Sequence, residues 1–263
     1  MIQKLIEFPS FAINFTRWKL GFCRRLRKHD PVVIFQMGKV GSQSIHRPLN
    51  RIYPGEVIHA HVLSTEYPQG EVKELMRYIN SASPPEHLFI ISPIRNPFDR
   101  NISAFFQNFE SYTGQDPEKI TLSLEEVQQI FIREFPHELP IQWLQNSIQD
   151  RFQVDLFAEP FPEHGWKSYK GEKVDILILR CELENRDKTK AVNCFLDRDD
   201  FEMGEINVTS QKGYHHFYSE FKRTLVMPDS IVNKLCDSDY FSHFYPAEDI
   251  EVARKRWSGG TSP

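Results

Sequence analysis

A chain of 263 residues with 40% hydrophobic and 26% charged positions is long enough to bury one enzyme-sized core, and no second block of composition divides it. Its formal net charge of −4 gives no bulk attraction to nucleic acid, so a polyanionic ligand would need local basic groups such as Lys39, Arg95, Arg100 and Lys212. Cys23, Cys181, Cys194 and Cys236 show neither CxxC spacing nor disulfide-like density; with no signal peptide evident, a reducing, cytoplasmic location is expected.

The first 28 residues form a basic, partly amphipathic segment distinct from the domain that follows from residue 29. Pro9, Asn14, Arg17 and Lys19 interrupt its apolar patches below membrane-spanning length. From Arg17 to Lys28, six basic residues lie beside Trp18, Leu20, Phe22 and Leu26. That pattern fits either a helix resting on the inner membrane surface or a solvated basic helix packed on the domain.

Next, the apolar run Val32-Val33-Ile34-Phe35 enters Gln36-Met37-Gly38-Lys39-Val40-Gly41-Ser42-Gln43-Ser44. Two glycines let the backbone approach an anion, Lys39 supplies a point charge, and a helix opening near Ser42 offers free N–H groups. A Walker A loop would need glycine at position 33, which is valine. Pro48 falls inside the following helix, which should be short or kinked. The strand-like run 56–62 then places His59 and His61 on one side, with Glu66 shortly beyond.

Residues 88–94 read as a buried strand. Asn96 supplies an N-cap and Pro97 a first helical residue; Phe98, Ile102, Phe106 and Phe109 share one face, leaving Arg95 at the strand's end and Ser103 near another face. A fork of donors and a hydroxyl so placed suit one phosphate. Ser123 and Glu126 form a capping box for a helix whose stripe is Val127, Ile130, Phe131 and Phe135, ended by Pro136. Residues 139–152 repeat Trp143, Leu144, Ile148 and Phe152 at helical spacing as core. Segments 111–120 and 159–173 read as loops that would cover an acceptor groove, and 174–180 as a strand ending in Arg180, with Glu182 nearby. Strands at 32–36, 56–62, 88–94 and 174–180 alternating with helices predict α/β layering around a mainly parallel sheet, with ligands at the strand C-termini.

Together and in this order, the two strand exits resemble the nucleotide-binding elements of sulfotransferases that use 3′-phosphoadenosine 5′-phosphosulfate (PAPS). In that family a Lys-x-Gly-[Ser/Thr] loop, matched by Lys39-Val40-Gly41-Ser42, holds the 5′-phosphosulfate. Arg95-Asn96-Pro97, Arg100 and Ser103 match the element whose Arg and Ser hold the 3′-phosphate. Asn207 to Tyr214 is similar to the loop that closes over the nucleotide, with Lys212 and Gly213 as contacts. The family's Arg-Lys-Gly is Gln211-Lys212-Gly213 here, which removes one forked donor and leaves an ordinary surface turn as an equal reading.

The Gln36 to Ser42 loop, Trp143, Val154-Asp155-Leu156-Phe157, Pro160-Phe161-Pro162, Gly165-Trp166 and Ile176 to Arg180 with Glu182-Leu183 resemble a bacterial branch described as capsular polysaccharide synthesis proteins. The likeness spans most of residues 31–246. It implies a three-layer, P-loop-like sulfotransferase fold over residues 29–263. The implied reaction moves a sulfuryl group from PAPS to a hydroxyl of a saccharide or polysaccharide, with 3′-phosphoadenosine 5′-phosphate (PAP) as product and no metal required.

On that reading Lys39 stabilises the leaving phosphate oxygen, and His61 is the general base, with His59 and Glu66 as alternatives. Gly38, Lys39, Val40, Gly41, Ser42, Gln43, Ser44, Arg95, Ser103, Lys212 and Gly213 bind the nucleotide. The His-x-His pair lacks the third ligand of a metal site. Two rivals stand beside it: a nucleotide-dependent phosphotransferase, and a noncatalytic nucleotide-binding protein of polysaccharide assembly.

Overall fold

In the computed structural model, five strands among the described residues pair into one sheet: β1 (Val32–Phe35), β2 (Val57–Ala60), β3 (Leu88–Ile94), β4 (Trp166–Tyr169) and β5 (Val174–Arg180). Their order is β2-β1-β3-β5-β4. All neighbours are parallel except β4, which runs antiparallel to β5 at the edge. The structure describes residues 7–66, 70–204 and 213–259, with side chains from residue 18 onward.

The helices, in chain order, are α1 (Glu7–Lys28), α2 (Gln43–Ile52), α3 (Gly70–Ile79), α4 (Pro97–Gln107), α5 (Phe109–Thr113), α6 (Leu124–Glu134), α7 (Leu139–Leu144), α8 (Asp150–Phe152), α9 (Asn185–Leu196), α10 (His215–Thr224), α11 (Asp229–Cys236), α12 (Asp239–Phe244) and α13 (Ala247–Trp257). Because strand side chains alternate, each strand feeds two cores. Val33, Phe35, Ile90, Ile176 and Ile178 join the larger core, with α3, α4, α6 and the C-terminal helices. Val32, Ile34, Ile91, Leu177 and Leu179 join the other, with Ile45 and Leu49 of α2 and Ala191, Val192 and Phe195 of α9. The result is a mixed α/β fold, its mostly parallel sheet flanked by helices.

Local sequence explains the elements that aim the site. The Asn96 side chain accepts from the N–H groups of Phe98 at 3.0 Å and Asp99 at 3.5 Å, so α4 starts at Pro97. Phe98 stacks on Trp257 with centroids 5.6 Å apart, and Phe106 packs against Phe221 at 5.0 Å, which fixes the roll of α4. In α2 the missing N–H of Pro48 frees the Ser44 carbonyl, and the N–H of Gly204 takes that place at 3.2 Å. The helix therefore runs through its proline to Ile52.

Three sequence expectations are corrected. Segment 159–173 contains β4, at the sheet edge farthest from β2, rather than a loop over the β1–β3 end. Helix 139–152 is interrupted by a π-helical turn at Gln145–Gln149. Leu144, Ile148 and Phe152 recur every four residues and so overshoot the 3.6-residue turn; one wider turn brings them back toward one face. The strand expected over 56–62 is limited to Val57–Ala60, leaving His61 just past its end.

At the N-terminus, Trp18 packs against the larger core, which includes Phe22 and Leu26. Lys19 pairs with Glu74 at 3.0 Å, and Arg25 with Glu56 at 2.5 Å. The C-terminal half of this basic helix thus lies on the domain, while Leu20 stays 67% exposed. Among the described residues no helix is long and apolar enough to cross a membrane.

Candidate functional site

Past β1 the backbone turns sharply, with positive φ at Gly38 (90°), Lys39 (65°) and Gly41 (70°). A lysine there costs about 1 kcal/mol against glycine, so the surroundings must hold it. Two arginines do so through main-chain carbonyls. Arg100, only 5% exposed, donates to Met37 O at 2.8 Å and Gly38 O at 3.3 Å, and Arg95 Nη1 donates to Lys39 O at 2.9 Å. Burial lowers the Arg100 pKa to about 10, which still leaves it a cation at neutral pH. Its part is to brace the loop from beneath, whereas the sequence grouped it with the basic groups available to a ligand.

Gln36 is fully buried, and its Oε1 accepts the N–H of Gly38. That amide, which sequence reasoning offered to an anion, is thus engaged inside the protein. At the start of α2, the Ser42 hydroxyl lies 2.8 Å from His59 Nε2 and does not cap the helix, and Ser44 Oγ donates to Gly41 O at 2.7 Å.

The end of β2 brings His59 and His61 against this loop, their rings 5.3 Å apart. Gln36 Nε2 is 2.8 Å from His61 Nδ1 and 3.3 Å from His59 Nε2. Burial pushes the His59 pKa down to about 4, with His46 and His61 adding to the effect, so His59 is neutral at pH 7.

The end of β3 is held by three distant side chains. Tyr240 accepts from Arg95 N at 3.2 Å and donates to Arg95 O at 2.9 Å. Glu182 accepts the N–H of Asn96 at 2.7 Å and the hydroxyl of Tyr245 at 3.2 Å. Burial raises the Glu182 pKa, while these donors and Arg95 oppose the shift. Glu182 therefore orients the Arg95–Asn96 junction.

The three strand ends border an open cavity of about 400 Å³. Gly38, Lys39, Gly41, Ser42, Gln43 and Ser44 past β1 line it together with Arg95 and Ser103 past β3 and with His59 and His61 at the end of β2. Gln36 and Gln107 complete the lining. Neither was singled out from sequence; the position of Gln36, one residue past an apolar strand and two before a glycine, was the available clue.

Three predicted residues are not among those lining the cavity, and a fourth falls outside the described residues. Val40 turns its side chain into the core at 1% exposure. Gly213 sits beside Glu118, away from the cavity lining, and Lys212 falls outside the described residues. Glu66 is exposed in the turn after Ser64 and does not line the cavity.

The lining joins two cations, hydroxyls and helix N–H groups with two imidazoles, a set matched to an anionic ligand plus a proton acceptor. Residues 118–246 match the family model NKWYS, described as "Putative capsular polysaccharide synthesis protein". That stretch excludes the Lys39 loop and Arg95 but supplies Glu182, Tyr240 and Tyr245, which hold Arg95 in place. No curated protein and no solved structure matches the chain.

Proposed function

We propose that this protein is a sulfotransferase of the P-loop-like fold, moving the sulfuryl group of PAPS to a hydroxyl of a saccharide or polysaccharide. The observation that carries the reading is the shared cavity: the Lys39 loop leaves β1, the Arg95/Ser103 pair leaves the adjacent parallel β3, and both face one space of about 400 Å³. That volume lies in the usual range for small-ligand sites. The saccharide acceptor rests on the family description matched by residues 118–246.

In this reading Lys39, Ser42 and the first turn of α2 hold the phosphosulfate, and Arg95 with Ser103 the 3′-phosphate. His61 takes the proton of the acceptor hydroxyl as its oxygen bonds to sulfur. The S–O bond to the 5′-phosphate breaks, and Lys39 stabilises the charge left on that phosphate oxygen. Among the described lining residues the ionisable groups are Lys39, Arg95, His59 and His61, with no carboxylate to hold magnesium, which favours this reading over a phosphotransferase.

Calorimetric titration with PAP tests the nucleotide. The parent should bind, with affinity falling at least tenfold in Arg95→Ala and severalfold in Ser103→Ala; a parent that ignores PAP ends the proposal. Tight PAP binding without sulfate transfer from PAPS to any of a broad glycan panel would favour the noncatalytic alternative.

A further inference from the structure

A wholly buried glutamine at the junction of an anion loop and a histidine pair has a restricted set of hydrogen-bonding states. The N–H of Gly38 can only donate, so the Gln36 carbonyl oxygen must face it, and the amide NH2 must face the two rings. That NH2 lies 2.8 Å from His61 Nδ1 and 3.3 Å from His59 Nε2. The same His61 Nδ1 is 3.0 Å from the main-chain oxygen of Gln36. One residue therefore presents a donor and an acceptor to one ring nitrogen.

Two arrangements satisfy these contacts. In the first, the amide donates to a lone pair on His61 Nδ1; the neutral ring then carries its proton on Nε2 and cannot accept another there. In the second, His61 Nδ1 is protonated and donates to the main-chain oxygen of Gln36, which leaves the Nε2 lone pair for a substrate hydroxyl. The amide then needs another acceptor: on His61 Nε2, at 3.5 Å, it would occupy that lone pair, whereas on His59 Nε2, at 3.3 Å, it leaves it free. That nitrogen also contacts the Ser42 hydroxyl, at 2.8 Å. If Ser42 turns its proton to an anion on the Lys39 loop, His59 Nε2 becomes free for the amide.

We infer that Gln36 is a positioning residue that couples an anion bound at Ser42 to the tautomer of His61, making Nε2 basic when the loop is occupied. The catalytic consequence rests on the transfer reading above; the coupling itself rests on the hydrogen bonds.

The experiment is ¹⁵N spectroscopy of histidine-labelled protein, with PAP as probe and calorimetry in parallel. In the parent, PAP should convert His61 Nδ1 from the unprotonated to the protonated type. Gln36→Met should abolish that conversion. Gln36→Glu keeps the acceptor for Gly38 N–H and replaces the donor with a second acceptor, so it should show protonated Nδ1 without PAP. Ser42→Ala, which leaves His59 Nε2 to the amide, should do the same. Identical His61 spectra in the parent, Gln36→Glu and Ser42→Ala would overturn the inference, as would a PAP-linked conversion that survives in folded Gln36→Met. If Gln36→Met does not fold, the other two variants decide. A parent that fails to bind PAP removes the transfer reading, while the ligand-free variants still test the coupling.

Discussion

Arg95 donates through Nη1 to the main-chain carbonyl of Lys39 at 2.9 Å. A cation that lines the cavity therefore also restrains the loop that shares that lining. Lys39 is held at φ 65°, a conformation that glycine adopts without strain.

Lys39→Gly separates the two roles of this position. Relief of the left-handed strain should raise the thermal midpoint by about 2 °C, corresponding to up to about 1 kcal/mol in a chain of this size. Turnover should fall by two orders of magnitude or more, with a much smaller loss of PAP affinity. Calorimetric melting and steady-state kinetics on one preparation check both; equal losses in affinity and turnover would remove Lys39 from the leaving-group role.

Arg100→Met should unsettle the loop without removing a ligand contact. The carbonyls of Met37 and Gly38 lose their partner, at a cost of about 2 kcal/mol or a fall of about 5 °C in the melting midpoint. PAP binding should weaken with its salt dependence unchanged, whereas Arg95→Met should flatten that dependence. Titrations at two ionic strengths distinguish brace from ligand.

The histidines predict a pH effect on stability with a definite sign. His59 has an unfolded pKa near 6.5 and a folded value of about 4, so between these limits the unfolded chain binds more protons. Stability should therefore rise with pH across that window, and this contribution should stop changing below about 4. Burial also lowers the pKa of His46, which adds a contribution of the same sign. Urea unfolding of the parent and His59→Gln from pH 4.5 to 7.5 should show a shallower slope in the variant.

A coupling is also expected between Pro48 and Gly204. A Cβ added at Gly204 would lie 3.1 Å from Pro48 Cγ, and the Gly204 N–H fills the bond that Pro48 cannot make. Gly204→Ala should cost about 1 kcal/mol alone and less in a Pro48→Ala background, a coupling of about 0.5 kcal/mol or more in a double-mutant cycle of unfolding free energies.

Much of this geometry was readable from sequence because it depends on local rules. β3 and β5 were delimited as observed by their apolar runs, and the Asn96–Pro97 helix start and the Ser123/Glu126 capping box follow from nearest-neighbour chemistry. What escaped depends on contacts across the sheet. β4 carries Lys167 and Ser168, and it is a strand because β5 pairs with it. Arg95 and Arg100 have the same charge and lie five residues apart, but only the register of α4 against the loop sends one to the cavity and the other beneath it. Gln36 looked like an ordinary strand terminus because its histidine partners lie 23 and 25 residues away.

The strand order carries a practical lesson for dissecting this protein. β5 is sandwiched between β3, contributed by the first hundred residues, and β4 from the later half. A fragment begun after α5 would lose β3 and bare one flank of a seven-residue strand whose middle is Asp-Ile-Leu-Ile-Leu. Such an edge invites pairing with other copies, so the later half expressed alone should precipitate, and complementation by a separately made first half is the better route to studying either.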